Sequence, residues 1–355
     1  MSEVEPSVEP LPQRLPWQAP IWQSLDQARR DARLAHGLLL TGPRGVGKRH
    51  FARRLAYELL CERSAIGSEP CGECRSCIQL QAGFHPNAQR LSLLVDERTG
   101  KEKRDISVEQ VRDLIGALML SSHYGQARLV VIDPAEQLNL AASNALLKTL
   151  EEPPPGTHLL LISEQPQSLL PTLLSRLQRL AFATPSPPQA SAWLSVHHPD
   201  TSPAALALAE GAPLLAVALE ASGELARDQQ WRSLLLSASS QGGNPLQVAA
   251  ALLGEKTDRR EQARAFLGWF QRLLHELLVA QAAAEGQGDP EWRALRARLT
   301  GTGIEALRAE AVEGLRRLAS NSDPMLMVES LMILWWRWTR RTGVRASAEP
   351  RSRPS

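Results

Sequence analysis

The stretch "GLLLTGPRGVGKRHF", residues 37 to 51, constrains this 355-residue chain more than any other. Gly42 is followed by four residues, then Gly47 and Lys48, the spacing of a phosphate-gripping loop. Such a loop works only between a buried strand and the first turn of a helix, because backbone N–H groups and the helix N-terminus supply the grip. The flanks meet that demand. "GLLLTG" is a short apolar run ending in glycine, and Phe51, Leu55 and Leu59 then recur at helical spacing. A polar helix is expected before it, from about 22 to 36. Two further apolar runs, "ARLVVIDP" (127 to 134) and "HLLLIS" (158 to 163), predict buried strands. Between them lie helical patterns. Ser107, with Gln110 three residues on, opens one as a capping box. "AASNALLKTLEE" is another, stopped by Pro153, Pro154 and Pro155. Continuous apolar strands alternating with helices imply a parallel α/β sheet covered on both faces.

The strand pattern ends at the Pro/Ser-rich "ATPSPPQAS" (183 to 191), and the chain beyond it reads as helices only. The expected organisation is a disordered extension over 1–13, an ATPase-like domain over 14–183, a small helical lid over 184–225, a helical oligomerisation domain over 226–344, and a disordered tail over 345–355. Forty basic against 38 acidic residues leave a net charge of +2. That argues against a protein whose main work is gripping nucleic acid, so any DNA contact should be local or shared. The first twenty residues are acidic and Pro-rich, with no apolar leader core. The most apolar stretch, Met325 to Trp336, is interrupted by Glu329 and is shorter than the ~20 residues that span a bilayer. A cytosolic protein is expected.

All four cysteines lie between Cys61 and Cys77. "CGECRSC" places Cys71, Cys74 and Cys77 in two overlapping C-x-x-C turns, with Cys61 at the end of the helix after the glycine loop. In a cytosolic chain this pattern favours a metal over disulfides. Four thiolates suit tetrahedral zinc and leave no open position for a catalytic water, so the site should be structural. Redox-active thiols and an iron–sulfur cluster are the alternatives.

The loop itself is incomplete. Gly42, Gly45, Gly47 and Lys48 provide a phosphate cradle, but the Ser or Thr that ligates Mg²⁺ is replaced by Arg49. Asp133 stands at the end of the second strand, yet the next residue, where a water-activating Glu belongs, is Pro134. Glu136, three residues past Asp133, is expected on the far side of the turn, which makes it a poor substitute base. Hydrolysis and Mg²⁺ binding are not expected; ATP or ADP held without turnover stays open.

In this order "GPRGVGKR", the cysteine cluster, "VVIDPAEQLNLAASNALLKTLEEPP" and "LLSRL" resemble the bacterial clamp loaders, AAA+ subunits of DNA polymerase III. The resemblance covers roughly residues 14 to 225. It implies an α/β P-loop (RecA-like, AAA+) domain with a zinc module, then a small helical lid and an all-α C-terminal collar. It further implies a five-membered ring with tau/gamma and delta subunits, which places a sliding clamp on primer-template DNA. The family's hydrolysing subunits keep the residues missing here, and carry a nucleotide-sensing Arg where "GAPL" has Leu214. "LLSRL" is similar to the family's Ser-Arg-Cys motif, with Leu177 for Cys. The resemblance gives Arg176 the role of an arginine finger acting in trans on a neighbour's ATP; a plain salt bridge is the alternative. Asn144, Lys148, Glu151 and Glu152 form either a face towards a neighbouring subunit or a solvated helix face. The implied function is that of a non-hydrolysing clamp-loader subunit. An active clamp-loader ATPase and a zinc-dependent DNA-binding module are the rivals.

Overall fold

The computed structural model describes residues 11–96, 98, 100, 102–119, 127–239, 243–254, 259–282, 290–318, 320 and 322–340. The first ten residues of the expected extension and the whole expected tail lie outside the described residues. The chain divides into two compact units, residues 1–222 and 223–355.

The first unit is built on one parallel five-stranded sheet. Its strands are β1 (Gly37–Thr41), β2 (Ala88–Leu91), β3 (Arg128–Ile132), β4 (Thr157–Ser163) and β5 (Gln178–Ala181), in spatial order β2-β3-β4-β1-β5. The three apolar runs are the three central strands. Alternate side chains enter opposite cores, as a pleated strand requires. Leu39, Val130, Leu159 and Leu161 face one core; Leu38, Leu40, Leu160 and Ile162 face the other. The edge strands, "AQRL" and "QRLA", have no counterpart among the expected elements. Each pairs on one side only, and Arg90, Gln178, Arg179 and Ala181 are exposed, so neither strand carries an apolar run.

Helices cover both faces. Trp22 of α1 (Ala19–Arg30) and Phe51 and Leu55 of α2 (Lys48–Leu60) fill one core. Val111 and Leu114 of α4 (Val108–Met119) and Leu146 and Leu150 of α5 (Leu140–Glu151) fill the other. Between these pairs in the chain, α3 (Arg75–Gln81) is capped by Cys74 and carries Cys77. α1 starts and stops earlier than expected. Pro20 seeds its first turn, and Ala32 takes a left-handed backbone (φ 54°) that turns the chain towards β1. The capping box at α4 is present: Ser107 N donates to Gln110 Oε1 at 3.1 Å and Gln110 N to Ser107 Oγ at 3.5 Å. After the short α6 (Pro171–Leu174), α7 (Pro187–His197), α8 (Pro203–Leu208) and α9 (Pro213–Ala221) complete the unit.

The second unit is helical: α10 (Glu224–Ser239), α11 (Pro245–Leu253), α12 (Arg259–Ala282), α13 (Pro290–Arg298), α14 (Gly301–Leu318) and α15 (Pro324–Thr339). Trp231, Phe266, Trp269, Phe270 and Trp335 form the buried aromatic part of its core. The buried Trp335 indole donates to Ser239 Oγ at 3.0 Å, which satisfies its polar end. The apolar run at Met325 to Trp336 is α15, started by an Asp323 cap and Pro324. Val328, Leu331, Met332 and Trp335 are its buried stripe. Among the described residues, no helix is long and apolar enough to cross a membrane.

Candidate functional site

The glycine loop sits between β1 and α2. Gly42, Gly45 and Gly47 have φ of 143°, 76° and 93°. A Cβ on Gly42 would come within 2.1 Å of Phe182 O, so only glycine fits that approach. The loop is braced from inside the protein. Val46 O accepts from Trp17 Nε1 at 2.9 Å and Gln18 Nε2 at 3.1 Å, and Gln18 Nε2 also reaches Gly47 O at 3.1 Å. Lys48 is buried, and its Nζ donates to Gly42 O and Pro43 O at 2.6 Å each. Burial lowers its pKa, opposed by the carboxylates of Glu164, Glu136 and Asp133. In this state the ammonium is turned back on the loop's own carbonyls.

The carboxylate of Asp133 is held by protein groups. Arg49 donates to both oxygens of Asp133, Nε to Oδ2 at 2.6 Å and Nη2 to Oδ1 at 3.1 Å. Arg90 from the edge strand β2 adds a bond to Oδ2 at 3.1 Å. Asp133 is only 2% exposed, so its charge is answered by these two guanidiniums and not by water. The hydrogen bonds to Asp133 raise the Arg49 pKa in return, against the pull of burial. Glu136 does come back past Pro134 to line the same cavity, but its Oε1 is held by the Glu164 backbone N–H at 3.2 Å.

The cavity at this loop holds about 210 Å³. Pockets that enclose drug-sized ligands run to roughly 300–1,000 Å³. One wall is the start of α9: Leu214 N donates to Gly45 O at 3.2 Å, and a Cβ on Gly45 would lie 2.3 Å from Leu215 Cβ. Leu214, at the nucleotide-sensing position of the resemblance, presents only aliphatic surface here.

Arg176 does not line this cavity. It lies in the turn between α6 and β5. Its Nε donates to Glu151 Oε1 at 2.8 Å, and Nη2 bonds the same oxygen. Nη1 donates to Thr172 O at 2.8 Å and to Ser175 Oγ at 3.1 Å. The next residue, Leu177, packs against the core below β1. Asn144, Lys148, Glu151 and Glu152 all lie on α5 or at its end, and all four are exposed.

The four cysteines meet. Their Sγ atoms all lie within 4.8 Å of one another, with Cys61–Cys71 at 3.6 Å and Cys61–Cys74 at 4.0 Å. Tetrahedral thiolates about 2.3 Å from zinc stand roughly 3.8 Å apart, so this donor set fits. Backbone amides support the sulfurs: Cys71 N donates to Cys61 Sγ, Cys74 N to Cys71 Sγ and Cys77 N to Cys74 Sγ, at 3.3 to 3.5 Å. Backbone N–H bonds from Glu73 and Cys74 bring the Cys71 thiol down to about 6, whereas burial pushes Cys77 up. The cluster could hold a metal ion such as zinc. Leu11 packs on it, Pro12 O accepts from Arg54 Nη1 at 3.1 Å, and Gln13 O pairs with His50 Nε2 at 2.6 Å. Residues 11 to 13, read from sequence as part of the disordered extension, are therefore anchored by contacts that composition does not reveal.

Sequence reasoning assigned no site role to Arg90 or Gln18. Neither stands in a motif, since each contributes through a fold contact with a residue far away in the chain.

A family model described as "DNA polymerase III, delta subunit" matches residues 17–186. The delta' subunit of DNA polymerase III from Pseudomonas aeruginosa is 43% identical over 212 residues, 59% of this chain and 62% of that relative. The chain thus spans less than two thirds of that protein's length. The delta' subunit from Escherichia coli is 36% identical over 268 residues, 74% of this chain and 75% of the relative. The tau subunit from Escherichia coli is 38% identical over 144 residues, 41% of this chain and 21% of the relative. With its glycine loop, its cysteine cluster and this extent of identity, the chain belongs to the family of DNA polymerase III delta' subunits.

Proposed function

We propose that this chain is the non-hydrolysing delta' member of a bacterial clamp loader and lends Arg176 to the ATP site of a neighbouring subunit. The observation that carries the first half is the saturation of Asp133 by Arg49 and Arg90. Mg²⁺ would have to displace a guanidinium from a buried carboxylate, and Pro134 offers no base afterwards. The second half rests on Arg176 standing in an "LLSRL" turn, away from its own chain's cavity. An arginine supplied in trans neutralises charge on the transferred phosphoryl group, an effect of about 10³- to 10⁵-fold in other systems.

On this reading the partners are tau/gamma and delta subunits, with the sliding clamp and primer-template DNA met through the complex. The four cysteines hold one structural zinc. Helices α7 to α9 serve as the lid and the second unit as the oligomerising collar. The rival reading as an active ATPase requires Asp133 to exchange both guanidiniums for Mg²⁺. A zinc-dependent DNA-binding module is disfavoured by the net charge of +2.

The test is phosphate release from Mg·ATP by the purified chain alone and by Arg49→Ser. Neither should turn over. The substitution returns a hydroxyl to the metal position but leaves Arg90 on Asp133 and proline where the base belongs. Turnover by the unaltered chain, abolished by Lys48→Ala, would establish the rival reading.

A further inference from the structure

Arg176 is half-buried, and it is bonded more heavily than an arginine on a turn needs to be. A guanidinium has five N–H donors. One on Nε and one on Nη2 go to Glu151 Oε1, and two on Nη1 go to Thr172 O and Ser175 Oγ. That leaves one donor, on Nη2. The backbone is fixed as well: Arg176 N donates to Leu173 O at 3.1 Å, and Leu177 sits against the position of Gly37 in β1. Glu151 is the last residue of α5, next to the buried Thr149 and Leu150, and Pro153 and Pro154 end the helix just beyond it.

We propose that Glu151 is a positioning residue for Arg176, fixing the plane of its guanidinium before a neighbouring subunit's nucleotide arrives; this rests on the reading of Arg176 as a finger in trans. A long arginine free in solvent loses its rotamer freedom only when it meets the phosphate, and that loss weakens catalysis. Here it is lost beforehand, on folding. A reacting group must be held to within a fraction of an ångström, and side chains on rigid elements do this best. α5 is such an element. Both bonds from Arg176 end on the single oxygen Oε1, so what the guanidinium needs from residue 151 is one well-placed acceptor. A glutamine carbonyl supplies the same acceptor without the charge.

The experiment uses the reconstituted ring with tau/gamma and delta subunits, measuring kcat and KM for ATP alongside ring assembly. Glu151→Ala should lower kcat at the neighbour's site roughly 10- to 100-fold, the scale of a misplaced catalytic group, and leave KM within about twofold. Glu151→Gln should restore most of the rate. Unchanged kcat in Glu151→Ala overturns the proposal. So does a rise in rate with both Ala and Gln, which would mean that the carboxylate restrains the finger's charge. Should Glu151→Ala fail to assemble, Glu151→Asp withdraws the carboxylate by one methylene and must show the same loss of kcat; an unchanged kcat there is equally fatal. Arg176→Ala, run in parallel, separates the two layers. If it leaves turnover intact, the finger reading falls and this proposal with it. If it slows turnover while Glu151→Ala does not, only the positioning role falls.

Discussion

Asp133 and Glu58 are both carboxylates taken out of water, and both are answered by arginines. Glu58 is fully buried and accepts from Arg14, Arg29 and Arg54, while Arg14 also bonds Asp26 and stacks its guanidinium 4.2 Å from the Trp22 ring. Removing one partner from such a set leaves an uncompensated charge and costs about 3–5 kcal/mol. Asp26 reports on the network through pH. Burial would raise its pKa, but the bonds and charge of Arg14 outweigh burial and hold it below the usual carboxylate range. A depressed native pKa contributes stability above the unfolded value, about 3.9, and loses it as pH falls through the native value. Denaturant midpoints should therefore fall as pH drops from about 5 towards 3, and Asp26→Asn should flatten that fall; an unaltered slope in the variant would remove Asp26 from the network. At this scale the sequence was half legible. Arg49 after Lys48 and Pro134 after Asp133 are visible as lost chemistry. That Arg49 and Arg90 meet on Asp133 is not visible, because the order of the strands brings them together.

The elements were legible in proportion to their burial. β1, β3 and β4 are walled on both faces, and their middle residues are all apolar, so each reads as a continuous run. β2 and β5 are half exposed, and four-residue strands such as "AQRL" carry no period to detect. The cysteine module was legible for a different reason. Ligands to one metal must converge, and short C-x-x-C turns show that convergence in the spacing alone. α2 ends at Cys61 and α3 is capped by Cys74, whose Sγ accepts from Cys77 N, so the metal site would join two helix termini. Metal analysis should return one zinc per chain. Chelation should lower the melting temperature and open Cys74 and Cys77, both buried, to thiol reagents. Unchanged melting and unreactive thiols after complete metal removal would contradict a structural role.

Across the whole molecule, the α/β unit was readable as an alternation of strands and helices, and the second unit only as helical. The reason is physical. A parallel sheet forces hydrophobicity to switch between strand and helix periods, whereas helices in succession share one period and differ only at their ends. Where an end is chemically marked, as at Asn244 before Pro245 or Asp323 before Pro324, the boundary can be found. α12 and α14 begin on Arg259 and Gly301, with no proline to mark the start, although Thr300 Oγ1 caps α14 by accepting from Gly303 N at 3.2 Å. The functional claim also belongs to this scale, since under the proposed function the chain acts only through its place in an assembly. The most direct test is ATP turnover by a reconstituted ring in which only the site beside this chain is competent, comparing the unaltered chain with Arg176→Ala. With the ring intact by gel filtration, the variant should slow turnover on the order of 10³-fold. Turnover equal to that of the unaltered ring would contradict a finger lent in trans.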